Sequence, residues 1–147
     1  MFNRFFLAAA VLAAFFVVSL PPLSWAQPET IYVFVNKDVP DQALASPQLK
    51  NIYLGKKDKW NNNQNITCTT LNSGQCQETF IQQYVKKSQF QYQNYWKKQI
   101  FTGMGQPPRA FESPEQMIDY VSRTTGAIGY SCIPPDTSKV KLLTVNP

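Results

Sequence analysis

Histidine is absent from the 147-residue chain, and with it goes the commonest general base. Ser–His and Cys–His catalysis are therefore excluded. Cysteine is scarce: Cys68, Cys76 and Cys132 make an odd count whose spacing matches no zinc-ligand pattern. At least one thiol stays free or pairs between chains. Acidic residues are few, nine against fourteen basic. Glu78, Glu112 and Asp119 are scattered, so no two carboxylates are set up for acid–base work. These lacks argue against an enzyme and leave no expected metal or cofactor.

What is present begins at the amino terminus. Arg4 supplies one positive charge, and Phe5 to Val18 is an unbroken apolar run stopped by Pro21 and Pro22. Such a run spans about 21 Å as a helix, short of the ~30 Å hydrocarbon core of a bilayer. Ser24-Trp25-Ala26 offers small residues where a signal peptidase reads, so a removable signal peptide over 1–26 with cleavage before Gln27 is expected. No Cys follows the run until Cys68, which argues against a lipid anchor. The expected location is the bacterial periplasm or the exterior, with no stable membrane insertion after cleavage.

Residues 27–147 form one domain by length, with 13 basic and 9 acidic side chains. That excess favours anionic partners. The lysines fall in pairs (Lys56-Lys57, Lys86-Lys87, Lys97-Lys98) and not in one stripe, so no nucleic acid is expected. An oxidising compartment suits a disulfide. Cys68 with Cys76 closes a short loop and is the first expectation; Cys76 with Cys132 is the alternative.

Along the chain, Ile31 to Val35 reads as a buried strand. Ser46-Pro47 starts a helix whose apolar face is Leu49, Ile52 and Tyr53, closed by Gly55. Trp60 is an apolar plug in a polar loop. Ile66 to Leu71 reads as a second strand running into the turn Asn72-Ser73-Gly74. Two helical stretches follow, one burying Phe80, Ile81, Tyr84 and Val85, the next Tyr92, Tyr95, Trp96 and Ile100. After the Gly/Pro connector Thr102 to Pro108, Ser113 and Gln116 hold capping-box positions at the start of a helix that buries Met117, Ile118 and Val121. Ala127 to Cys132 and Val140 to Val145 are the last strands. Strands alternating with helices predict an α/β fold with a mainly parallel sheet.

Several of these strings, in this order, resemble the substrate-binding proteins of phosphate ABC transporters. Leu49-Lys50-Asn51-Ile52-Tyr53-Leu54-Gly55-Lys56 with Trp60, then Tyr95-Trp96 with Phe101-Thr102-Gly103 and Pro107-Pro108, and finally Gly126-Ala127-Ile128-Gly129-Tyr130 carry the likeness. It runs from about Ile31 to Val145. The resemblance implies a three-layer single lobe of periplasmic-binding-protein type, a mainly parallel sheet of about four strands flanked by helices, filling 27–147. In that family the anion is held partly at a Ser-Gly-Thr helix start preceded by an Arg and an acidic residue. Here the matching stretch is Asn72-Ser73-Gly74-Gln75, with Gln75 in place of the Thr and no preceding Arg. The implied function is an exported, non-enzymatic binding protein that takes phosphate or another small anion weakly, or a partner protein, at Asn72, Ser73, Gly74 and Gln75. The same stretch also reads as an ordinary helix start. The alternative function is an accessory or structural envelope protein that uses the lobe as an interaction surface.

Overall fold

The protein's structure is a computed structural model and describes residues 29–147. The signal peptide expected over 1–26, and its cleavage before Gln27, lie outside the described residues.

The central sheet is built from the β-branched and aromatic runs of the sequence. Its strands are β1 (Tyr32–Val35), β3 (Thr67–Leu71), β4 (Arg109–Phe111), β5 (Ala127–Ser131) and β6 (Lys141–Leu142), in the spatial order β4-β3-β5-β1-β6. Two three-residue strands, β2 (Ala43–Ala45) and β7 (Thr144–Asn146), form a separate parallel pair. The helices are α1 (Ser46–Tyr53), α2 (Gln75–Phe80), which runs straight into a π turn at Ile81–Val85, α3 (Gln89–Phe101) and α4 (Pro114–Arg123).

Successive residues of β5 show how the layers stack, because neighbouring strand residues point to opposite faces. A Cβ on Gly129 would lie 2.8 Å from the Met117 sulfur and 2.9 Å from the Phe34 ring, so α4 packs tightly on that face. Tyr130 points to the other face and stacks on Phe80, ring centroids 3.7 Å apart, while Tyr53 of α1 meets Phe80 edge-on at 4.6 Å. The sheet is thus covered on both sides, as the α/β lobe requires. Leu49, Ile52, Tyr53, Phe80, Ile81, Val85, Tyr92, Trp96, Met117, Ile118 and Val121 are buried in that core, each on the helix face its spacing predicts. Trp60 is buried as well, and its Nε1–H donates to the Gly126 carbonyl at 2.9 Å.

Four features differ from expectation. The sheet has five strands and mixed directions: β3 runs parallel to β4 and β5, while β1 runs antiparallel to β5 and β6. Helix–strand alternation demands parallel neighbours only where a helix returns the chain between them, as in β3, β4 and β5. β1 has no such relation to the strands beside it. The final strand expected over Val140 to Val145 is divided at Leu143, whose side chain is buried and whose N–H still donates to the Val33 carbonyl of β1 at 2.9 Å, before the chain pairs with β2. Ile100 is exposed, not buried.

The disulfide is the fourth. Cys68 and Cys76, the pair expected first, do not bond; Cys76 bonds Cys132, Cα to Cα 5.7 Å, and Cys68 is free. Cys68 lies three residues before Leu71 on an extended strand, about 10 Å from the strand's end at roughly 3.3 Å per residue. Cys132 follows β5 at the edge of the sheet where α2 begins, which brings it beside Cys76.

Candidate anion site at the carboxyl edge of the sheet

Two turns leave the sheet side by side. Leu71 and Phe111 are in register at the carboxyl ends of β3 and β4, and the Asn72 N–H donates to the Phe111 carbonyl at 2.8 Å. From β3 the chain turns through Asn72-Ser73-Gly74 into α2; from β4 it turns through Glu112-Ser113 into α4. In open α/β sheets this edge, outside the carboxyl ends of parallel strands, is where ligands bind.

The two helix starts differ. Ser113 caps α4, its Oγ accepting from the Gln116 N–H at 3.3 Å. No side chain caps α2. Its cap residue is Gly74 at φ 104° and ψ 168°, a backbone region essentially reserved for glycine. The first helical bond inside α2 is Glu78 N–H to the Gly74 carbonyl, 3.1 Å. The N–H groups ahead of it therefore have the helix dipole behind them and, among the described residues, no side-chain acceptor in front. Asn72, Ser73, Gly74 and Gln75 are all exposed. The structure thus gathers these four residues at one solvent-open helix start.

Residues that sequence reasoning passed over hold this turn in place. Gln77 is buried; its Nε2–H donates to the Leu71 carbonyl at 2.6 Å, and its Oε1 accepts from Gln89 Nε2 at 2.9 Å. The Cys76–Cys132 bond ties the first turn of α2 to the end of β5. Glu112 is the other addition: its Oε1 accepts from Asn72 Nδ2 at 3.0 Å. No local signal marks Glu112 as a neighbour of Asn72, because forty residues separate them.

The charges at this edge are unfavourable to an anion. Glu112 sits against Asn72, and Glu78 occupies the first turn of α2. The nearby cation, Arg109, is turned to the α4 side, its guanidinium 4.6 Å from the Tyr120 ring centre and 5.6 Å from that of Phe111. It makes no forked bond at the turn of the kind that anchors oxyanions. Among the described residues, no group of three His, Cys, Asp or Glu side chains is placed to hold a metal ion. A cavity of about 700 Å³ lies elsewhere, between the ends of α1 and α3, walled by Tyr95, Trp96 and Cys68, with Asp58 the sole carboxylate on its lining. Burial pushes the Cys68 thiol well above its ordinary range, so it is a poor nucleophile.

No family model matches the sequence, and no curated protein does. Solved structures do. A phosphate ABC transporter substrate-binding protein from Clostridium perfringens, with bound phosphate, superposes with a TM-score of 0.61 at 18% identity, over 78% of this chain and 44% of its own. The ABC-type phosphate transport receptor of Vibrio cholerae gives 0.57 at 18% identity, over 78% and 45%. PstS of Borrelia burgdorferi gives 0.58 at 16% identity, over 79% and 47%. The chain shares the fold of one lobe of these structures. This lobe spans less than half the length of the structures it matches, and at these identities the likeness is one of fold alone.

Proposed function

We propose that this chain is an exported, non-enzymatic binding protein whose lobe takes phosphate or a similar oxyanion, weakly, at the Asn72–Gln75 turn. The observation that carries the reading is the uncapped, solvent-open start of α2 at the carboxyl edge of the parallel strands. Backbone N–H groups and the Ser73 hydroxyl would bind the anion from one side. Glu112 opposes it, and among the described residues nothing covers the other side, so the expected dissociation constant is on the order of millimolar. With ligand at ten times that constant the folded state gains about 1.4 kcal/mol.

The test is thermal melting with phosphate, sulfate and chloride at matched ionic strength. Phosphate and sulfate are expected to raise the melting temperature and chloride is not. Replacing Glu112 with Gln removes the opposing carboxylate and is expected to strengthen the response. A flat response in both proteins would overturn the anion reading and leave the lobe as a protein-binding surface.

A further inference from the structure

The chain's excess of positive charge falls in one stretch of the sequence. Residues 79–111 contain Lys86, Lys87, Lys97, Lys98 and Arg109 and no Asp or Glu, so they account for the whole formal excess of +5; the rest of the chain carries nine charges of each sign. The four lysines lie before α3 and in its last turns. Among the described residues the one ion pair is Arg123 with Asp119, so none of these lysines is neutralised by a carboxylate.

The same segment carries exposed apolar side chains. Phe101 is 92% exposed, Met104 76%, Phe90 71% and Ile100 55%. Their placement on α3 follows from helix geometry. Phe90 and Phe101 are eleven residues apart, about three turns plus 20°, so they share one line along the helix some 16 Å apart. That line is opposite the buried Tyr92 and Trp96. It reads Phe90, Asn94, Lys97, Phe101, with Lys98 to one side and Ile100 to the other. Met104 continues it into the connector, where its N–H bonds the Gln99 carbonyl at 3.0 Å. Two phenylalanines thus occupy the part of the helix that faces furthest into solvent.

We propose that the outer face of α3, with Met104, docks flat on an anionic lipid bilayer. Lys97 and Lys98 complement the charged headgroups, and Phe90, Ile100, Phe101 and Met104 enter the headgroup–acyl boundary. The helix lies on the membrane and does not cross it, since its 13 residues span only about 20 Å. Lipid is favoured over an acidic protein because Phe90 and Phe101, the most exposed aromatics, protrude from the outermost line of the helix, with Ile100 and Met104 on the linings of the pockets beside it. A protein partner would need a matched pocket for each, whereas a bilayer accepts them in any register.

The experiment is flotation of the full chain with vesicles of phosphatidylcholine alone or mixed with phosphatidylglycerol. Every variant keeps residues 1–28, so differences between variants report on α3 and not on the apolar amino-terminal run. The wild-type protein is expected to favour the phosphatidylglycerol vesicles and to lose that preference in high salt. Changing Phe101 and Met104 together to Ser is expected to lower partitioning at least about tenfold. Lys97→Gln and Lys98→Gln are each expected to lower it about fivefold on the anionic vesicles only. These positions are exposed, and an unchanged melting curve confirms that each variant folds. Equal partitioning onto both lipids, or indifference to all these substitutions, would overturn the proposal. So would vesicle-free binding of polyglutamate that the same substitutions abolish, which would assign the face to an acidic protein.

Discussion

Tyr130 holds the α1 and α2 side of the sheet together through both its ring and its hydroxyl. The ring lies parallel to Phe80, and the Oη accepts from the Leu71 N–H at 3.2 Å and pairs with Thr70 Oγ1 at 2.9 Å. Tyr130→Phe keeps the stack but leaves a buried N–H without its partner, so a loss of about 1–3 kcal/mol in urea unfolding is expected. Burial raises the Tyr130 hydroxyl from 10.0 to about 12, against its hydrogen bonds to Thr70 and Leu71. Tyr53 and Tyr92 are raised for the same first reason, burial. The folded state thus prefers the neutral phenols more than the unfolded chain does. The stability tied to these groups is full below pH 10 and is lost as pH climbs towards 12. Alkaline unfolding followed by phenolate absorbance checks this, and ionisation of all tyrosines at their ordinary value would contradict it. Gly126 is the other critical position. It sits at φ +69°, its carbonyl accepts from Trp60 Nε1 and the Thr67 N–H, and its N–H donates to Asp38 Oδ1. A Cβ there would lie 2.2 Å from the Asn65 backbone oxygen. Gly126→Ala is expected to cost about 3 kcal/mol, read as a fall in the urea midpoint.

At the scale of elements, α3 shows where periodicity informs and where it misleads. Tyr92 and Trp96 are four apart and both buried, as their spacing predicts. Each four-residue step turns the helix about 40° past a full turn, so Ile100 lies about 80° round from Tyr92 and reaches solvent. The α2 start was legible in part. A strand, a turn with Gly and a helical run were visible in Leu71 to Val85. The missing cap was not, because whether Ser73 reaches back to the helix depends on the Gly74 backbone, which only the structure supplies. That missing cap makes a prediction. Gln75→Glu places a carboxylate in the first turn of α2, which is expected to add about 0.3–1 kcal/mol of stability. The same charge is expected to abolish stabilisation by phosphate. A variant that is more stable yet still responds to phosphate would move the anion elsewhere.

At the scale of the whole molecule, one covalent bond joins distant parts. Cys76 and Cys132 are 56 residues apart in sequence, and their bond ties α2 to β5 beside the Asn72–Gln75 turn. By loop-closure entropy such a cross-link contributes about 4 kcal/mol. Changing both to Ser is expected to lower urea stability by an amount of that order. Cys68→Ser is expected to leave the bond, and most of the stability, in place. A wild-type melting curve indifferent to reductant would contradict the pairing. Sequence reasoning ranked Cys68–Cys76 first because it weighed loop length, which is a local quantity. The true partner depends on which strand ends at the edge where α2 begins.

The same division runs through the protein. Periodicity, helix starts and β-branched runs are local, so the sequence by itself determined the α/β class, the main helices and most core positions from Val33 to Val121. Strand direction, the disulfide partner, the approach of Glu112 to Asn72 and the outward turn of Phe90 and Phe101 belong to contacts between residues far apart in the chain. Only the tertiary structure decided these, because each follows from how whole elements share one sheet edge or one core. No local pattern encodes that sharing.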